Sequence, residues 1–212
     1  MTDRCPSTPV TTGADNRGGL ASESEDVQSV EITFETLLHF WFETLTPRQW
    51  FRSDKALDRE IAERFGETLE AARRGELASW RLSPRGRLAE VITLDQLSRH
   101  IFRGDPRAFS HDDLALALAR KAVEAGADHD LSLVERPFLY MPYMHSESIN
   151  AQREGLLLVD QPGLSRQLAQ ARRHMSIIER FGRFPRRNAV LGRESSPEEH
   201  AFLTRPGDFS KK

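Results

Sequence analysis

Apolar side chains in this chain recur every three to four residues and almost never every two, and that spacing restricts the fold to helices. Phe34, Leu37, Leu38 and Trp41 form one such stripe, and Leu57, Ile61, Phe65, Leu69 and Ala72 a longer one. Leu88, Val91, Ile92 and Phe102 line a third helix, and Leu114, Ala117, Leu118 and Ala122 an alanine-rich fourth suited to close packing. From Phe138 to Met144 nearly every residue is apolar, which marks a central helix buried on most sides. Leu164, Leu168, Ala171, Met175 and Ile178 give a late amphipathic helix. No run alternates long enough to make a strand. The expected fold class is all-α, about seven or eight helices with short links.

The breaks agree. Pro47 and the 52–54 stretch separate the first two helices, and Ser83-Pro84 places a cap and a first-turn proline before the third. Gly104-Asp105-Pro106 ends that helix, and Ser196-Pro197-Glu198-Glu199 reads as a capping box. Pro142 lies inside the apolar run, so the central helix should kink or stop near it. No internal repeat with a fixed period stands out.

Residues 1–29 hold almost no large apolar side chain and cannot bury enough surface to offset their ordering entropy. They are expected to be a disordered polar tail, with residues 30–212 forming a single helical domain. The one cysteine, Cys5, sits in that tail, which excludes an intrachain disulfide and makes it a poor nucleophile. No apolar run approaches the roughly 18 residues needed to span a bilayer, and the acidic N-terminus lacks the order of a secretory signal. The expected compartment is the cytoplasm, with no membrane partner. A net charge of −2 disfavours a nucleic-acid partner.

Several polar residues break the apolar pattern. At 100° per residue Asp95 falls in the middle of the third helix's buried stripe. A buried carboxylate costs several kcal/mol unless paired, and Arg99 stands one turn later at the spacing that lets the two meet. Gln96 and Arg103 lie beside that face. Asp112 or Ser110 is expected to cap the next helix, with Arg107 able to pair with Asp112. His145 follows Phe138 by seven residues and Met141 by four, on the buried face, next to Glu147. His174 flanks the stripe of the late helix and should be half buried. No HExxH, cysteine pair or close histidine pair exists, so no metal is expected, and no phosphate-binding glycine loop or other cofactor motif is present. Trp41, Trp50 and Trp80 read as core or junction anchors.

The stretch from Arg180 to Arg193 sets five arginines (Arg180, Arg183, Arg186, Arg187, Arg193) in fourteen residues, beside Phe181, Phe184 and Leu191. Guanidinium groups held against apolar side chains either pair with carboxylates or receive an anion.

The segments Phe40-Trp-Phe42, Gln49-Trp-Phe51, Leu94-Asp-Gln-Leu-Ser-Arg99, Phe102-Arg-Gly-Asp-Pro-Arg-Ala-Phe109, Tyr140-Met-Pro-Tyr-Met-His-Ser-Glu147 and Arg180–Arg193 together closely resemble the bacterial family catalogued as domain of unknown function 924. The resemblance runs from Phe34 to Leu203. It implies a helical fold similar to tetratricopeptide-repeat proteins and no established activity. The chain departs from the family's usual proline at Ser98, asparagine at His100, aspartate at Ser176 and histidine at Arg186.

Three function classes follow. One is a binding module whose Gln96, Arg99, Arg103, Arg183, Arg187 and Asn188 line a pocket for an anionic small molecule or peptide group, with more positive charge than the neighbouring acids cancel. The second is an enzyme in the same pocket, with His145 or His174 as general acid/base and Asp95 orienting a donor. The third is a protein-interaction scaffold, by analogy of fold. Against all three stands a purely architectural role, in which Arg99, Arg180, Arg183 and Arg187 neutralise Asp95, Asp112, Glu147 and Glu199.

Overall fold

The computed structural model describes residues 32–204; the polar tail expected at 1–29 lies outside the described residues. Every regular element among the described residues is helical. Helix α1 is Phe34–His39, continued without a break by a wider π segment, Phe40–Thr44. Helix α2 is Lys55–Arg74. Helix α3 is a composite of Pro84–Ile92, a π segment Thr93–Leu97 and a last turn Ser98–Ile101. Then come α4 (Asp112–Glu124), α5 (Arg136–His145), α6 (Ile149–Val159), α7 (Ser165–Phe181) and α8 (Pro197–Thr204). Short 3-10 turns occupy several of the links, Pro106–Phe109 and Pro185–Arg187 among them.

The caps form as the sequence spacing requires. Asp54 accepts from the backbone N–H groups of Ala56 and Leu57 at the start of α2, and Ser83 from Gly86 at the start of α3 with Pro84 behind it. At α8 the capping box closes in both directions: Glu199 N–H donates to Ser196 Oγ, and Ser196 N–H to Glu199 Oε2. Helix α4 differs from expectation. Neither Ser110 nor Asp112 caps it: His111 holds the cap position without a side-chain bond, and Asp112 is the first helical residue with its carboxylate turned to arginines. Arg107 pairs with Asp105 instead of Asp112.

Helix α3 is the hub, packing on α1, α2, α4 and α5. The five residues of its π segment, Thr93 to Leu97, are all buried, so Asp95 and Gln96 are carried into the interior together. In α4 the inward face is Ala115, Leu116, Leu118, Ala119 and Ala122, while Ala117 is exposed. The stripe is therefore rotated from the one the sequence suggested: Ala115 and Ala119 take inward positions in place of Ala117. Pro142 sits within α5, and the helix ends three residues later at His145. Gly155 makes the α5–α6 hairpin tight: a Cβ there would stand 2.6 Å from Tyr143 Cβ.

The main apolar core runs from α1 through α7. Trp41 and Trp50 both pack edge-on to Phe138, and the Trp50 indole N–H donates to the Trp41 carbonyl at 2.7 Å. A second, smaller cluster of Ile177, Ile178 and Phe184, joined by Ile149, Phe181 and Phe202, stands apart from it. The candidate site lies where polar side chains of α3 and α5 meet this smaller cluster.

Candidate functional site

Asp95, at the middle of the α3 π segment, has no solvent exposure. Its two carboxylate oxygens lie 2.8 and 3.0 Å from Nδ1 of His145, the last residue of α5. Gln96 Nε2 donates to the same carboxylate. Arg99 Nη2 approaches it to 3.4 Å, while Arg99 Nη1 donates to the Asp95 carbonyl at 2.7 Å. Burial alone would raise the Asp95 carboxyl, but the Arg99 charge, the His145 ring and the Gln96 amide outweigh it and hold the group well below the carboxylate range. Asp95 is therefore ionised. With its carboxylate on Nδ1, the proton of a neutral His145 belongs there, and Nε2 is the basic nitrogen.

The charges continue in alternation. Arg99 Nη2 donates to Asp112 Oδ2 at 3.1 Å and lies 3.0 Å from Oδ1. Arg187 Nη1 donates to the same Oδ2 at 2.9 Å, and Arg187 Nη2 to the His145 carbonyl at 2.8 Å. The Arg187 guanidinium also lies over the rings of Phe109 (4.5 Å) and Phe184 (4.9 Å), so it is held on its edges and on its faces. Burial lowers the Arg187 pKa against the pull of Asp112, without threatening its charge. Within this chain of contacts two carboxylates match two guanidinium groups. The surplus of positive charge expected from the arginine-rich segment is absent from its centre.

Next to the cluster is a cavity of about 150 Å³. His145 from α5, His174 and Ile177 from α7, residues 184–187 and Phe202 from α8 line it. The His145 and His174 rings are 6.3 Å apart, edge to face, and His174 packs on Phe184 at 5.6 Å. Burial, with the nearby His145 and Arg187, pushes the His174 pKa down to about 3. His174 is thus a neutral imidazole at pH 7. The turn that carries Arg187 is fixed from below: Glu147 accepts the Phe184 backbone N–H at 2.7 Å and both terminal nitrogens of Arg193 at 2.8 and 3.0 Å.

Of the binding candidates named from sequence, Arg187 lines the cavity, and Arg99 and Gln96 stand behind it around Asp95. The other three are placed elsewhere. Arg103 is bidentate to Asp58 of α2, at 2.6 and 2.8 Å. Arg183 is bidentate to Glu199 at 2.7 and 2.8 Å and reaches the Glu194 carbonyl. Asn188 is buried, donating to Ser195 and accepting from Arg193. Among the charged lining residues, Arg186 stood in the arginine run and departs from the family's histidine, but was not among the binding candidates; Ile177 and Phe202 carried no signal, since apolar residues on a helix face read as core. Among the described residues no three His, Cys, Asp or Glu side chains are grouped so as to hold a metal ion, and no helix is long and apolar enough to cross a membrane.

Comparison with known proteins gives the same outline. The solved structure of a protein of unknown function from Agrobacterium tumefaciens is 38% identical, with a TM-score of 0.77 over 81% of this chain and 96% of that one. No curated protein matches the sequence. The model of a family described as bacterial protein of unknown function (DUF924) matches residues 37–207, and the chain belongs to that family.

Proposed function

We propose that the cavity beside Arg187 binds a small ligand through an anionic group, belonging to a free small molecule or to a peptide. The observation that carries this reading is the Arg187 guanidinium, packed on the rings of Phe109 and Phe184 on a cavity wall that also presents His145. Two of its N–H groups are used by Asp112 and the His145 carbonyl; a guanidinium has five, and the reading requires at least one of the other three to meet the guest. The donor is preorganised, which reduces the entropy lost on binding.

Thermal melting against a panel of small carboxylates, phosphates and sulfonates tests it. A ligand at 100 times its Kd adds about 2.7 kcal/mol of stability, and Arg187→Gln should abolish the rise in melting temperature. Arg183→Ala should retain it, because that side chain is committed to Glu199. If no anion in the panel raises the melting temperature, the reading fails.

A catalytic reading has its own support in the Asp95–His145 pair. A buried carboxylate on Nδ1 orients the ring and stabilises the imidazolium that forms when Nε2 accepts a proton. His174, kept neutral, faces the same cavity. Turnover of chromogenic carboxylic or phosphoric esters, lowered about 10²–10⁴-fold by His145→Gln, is the expected outcome. Turnover equal in wild type and variant would remove His145 from any such role. A tetratricopeptide-like scaffold would instead present the cavity to a protein partner, and affinity capture of one partner, lost in Arg187→Ala, would mark that case.

A further inference from the structure

We infer that the group the cavity takes is the carboxylate of a small apolar acid, aromatic or short and branched, and not a phosphate; the inference rests on the anion-site reading above. Three features of the cavity argue for it.

The first is its walls. Ile177, Phe184, Pro185 and Phe202 are apolar, and all but Pro185 belong to the small hydrophobic cluster that stands apart from the main core. A guest that was only a hydrated anion would leave these walls without a partner. An apolar body attached to the anion would cover them, at roughly 25 cal/mol per Å² removed from water.

The second is size. The cavity measures about 150 Å³, and an apolar cavity of about that volume holds one benzene-sized molecule. A phenyl ring or a branched chain of a few carbons fits that volume. Phe202, from the short helix α8, is part of its wall.

The third is charge. Behind the wall, Arg99 and Arg187 are already matched by Asp95 and Asp112. One additional negative charge can be met by the remaining N–H groups of the planar Arg187. A carboxylate offers one charge and two coplanar oxygens, which suit a guanidinium edge. A phosphate brings nearly two charges and three acceptor oxygens, more than the Arg187 edge can pair, to a lining in which Ile177, Phe184, Pro185 and Phe202 offer no partner, and each unmatched charge there is costly.

Isothermal titration of the full chain with phenylacetate, isovalerate, acetate, phenylacetamide, phenyl phosphate and inorganic phosphate tests the inference. Phenylacetate and isovalerate should bind at one site at least tenfold more tightly than acetate, phenylacetamide or either phosphate. Ile177→Trp fills the cavity without touching the ion pairs and should abolish that binding, with a helical circular-dichroism spectrum showing that the variant stays folded; Phe202→Ala should admit longer acids such as phenylbutyrate. Tighter binding of phenyl phosphate or inorganic phosphate overturns the carboxylate assignment but leaves the anion site standing. Equal binding of phenylacetamide and phenylacetate overturns it as well, by removing the charge requirement. Absence of binding by every anion overturns both this inference and the reading beneath it.

Discussion

The chain uses arginine and carboxylate side chains in two ways, and the two lie within a few residues of each other. At the end of α7 and in the segment after it, three guanidinium groups have an acid each: Arg180 with Glu198, Arg183 with Glu199, Arg193 with Glu147. In the cluster between α3, α4 and α5, acids and guanidiniums are shared. Asp112 receives both Arg99 and Arg187, and Asp95 receives Arg99, Gln96 and His145. The private pairs splice a turn and a terminal helix onto the fold. The shared set surrounds a fully buried carboxylate and ends at a cavity. Density of arginine along the chain therefore marks the splice, and burial marks the site.

The largest expected effect separates these two uses. Asp95→Ala removes the partner of Arg99 and His145 in a place water does not reach. Breaking a buried pair by removing one side costs about 3–5 kcal/mol, measured as a shift in the urea midpoint at constant slope. Asp95→Ala and Arg99→Ala combined should cost far less than the sum of the single changes, because they share one interaction. A loss below about 1 kcal/mol for Asp95→Ala would put this cluster in the same class as the surface pairs.

The second effect is a pH dependence specific to the cavity. His174 has its pKa pushed from 6.5 to about 3 in the folded chain. In the unfolded chain it takes a proton below about 6.5. The unfolded state then binds more protons, so stability falls as pH falls. The contribution is whole above about pH 6.5 and is lost progressively towards pH 3, to the extent of a few kcal/mol at about 1.4 kcal/mol per pH unit. In His174→Gln the acid loss should be shallower over that window. Identical slopes in wild type and variant would show that the folded His174 titrates normally.

Much of the fold could be read from apolar spacing. The α2 stripe from Leu57 to Ala72 is buried residue for residue, because a 20-residue amphipathic helix defines its own phase. In α4 the phase slipped, since Ala117 is as apolar as Ala115 and Ala119 and spacing alone does not rank them. Asp95 was readable as a buried carboxylate because it interrupts a stripe, and so was its partner one turn on. The Asp95–His145 contact joins residues 50 apart in sequence, and no local pattern encodes it. Arg103 and Arg183 were grouped with the cavity on helix phase and proximity in sequence, while their true partners, Asp58 and Glu199, lie 45 and 16 residues away.

A smaller effect is expected at Glu147, the one private acid that touches the cavity's supporting turn. Glu147→Gln keeps the shape but removes the charge from the contacts with Arg193 and the Phe184 N–H. Hydrogen bonds to charged groups contribute about 1.5–3 kcal/mol, so a loss towards the lower end is expected at this half-buried position. The change should also weaken ligand binding, because the 184–187 turn carries Arg187. If stability falls while binding is untouched, the turn holds Arg187 without help from Glu147.

The smallest effect is at Arg180 and Glu198, whose side chains are 43% and 61% exposed. Both stay hydrated, and holding two long side chains in one geometry costs entropy that offsets most of the attraction. Such pairs contribute about 0–1 kcal/mol. Arg180→Ala should therefore leave the urea midpoint nearly unchanged and its small effect should vanish in high salt, with a Debye length of about 3 Å at 1 M. Ligand binding should not move at all. A loss above about 1.5 kcal/mol, or one insensitive to salt, would mean that α8 is docked mainly by this pair and not by Phe202 packing on Phe181 at 5.0 Å. The wall of the cavity would then depend on an exposed contact, and the distinction between splice and site would disappear at that helix.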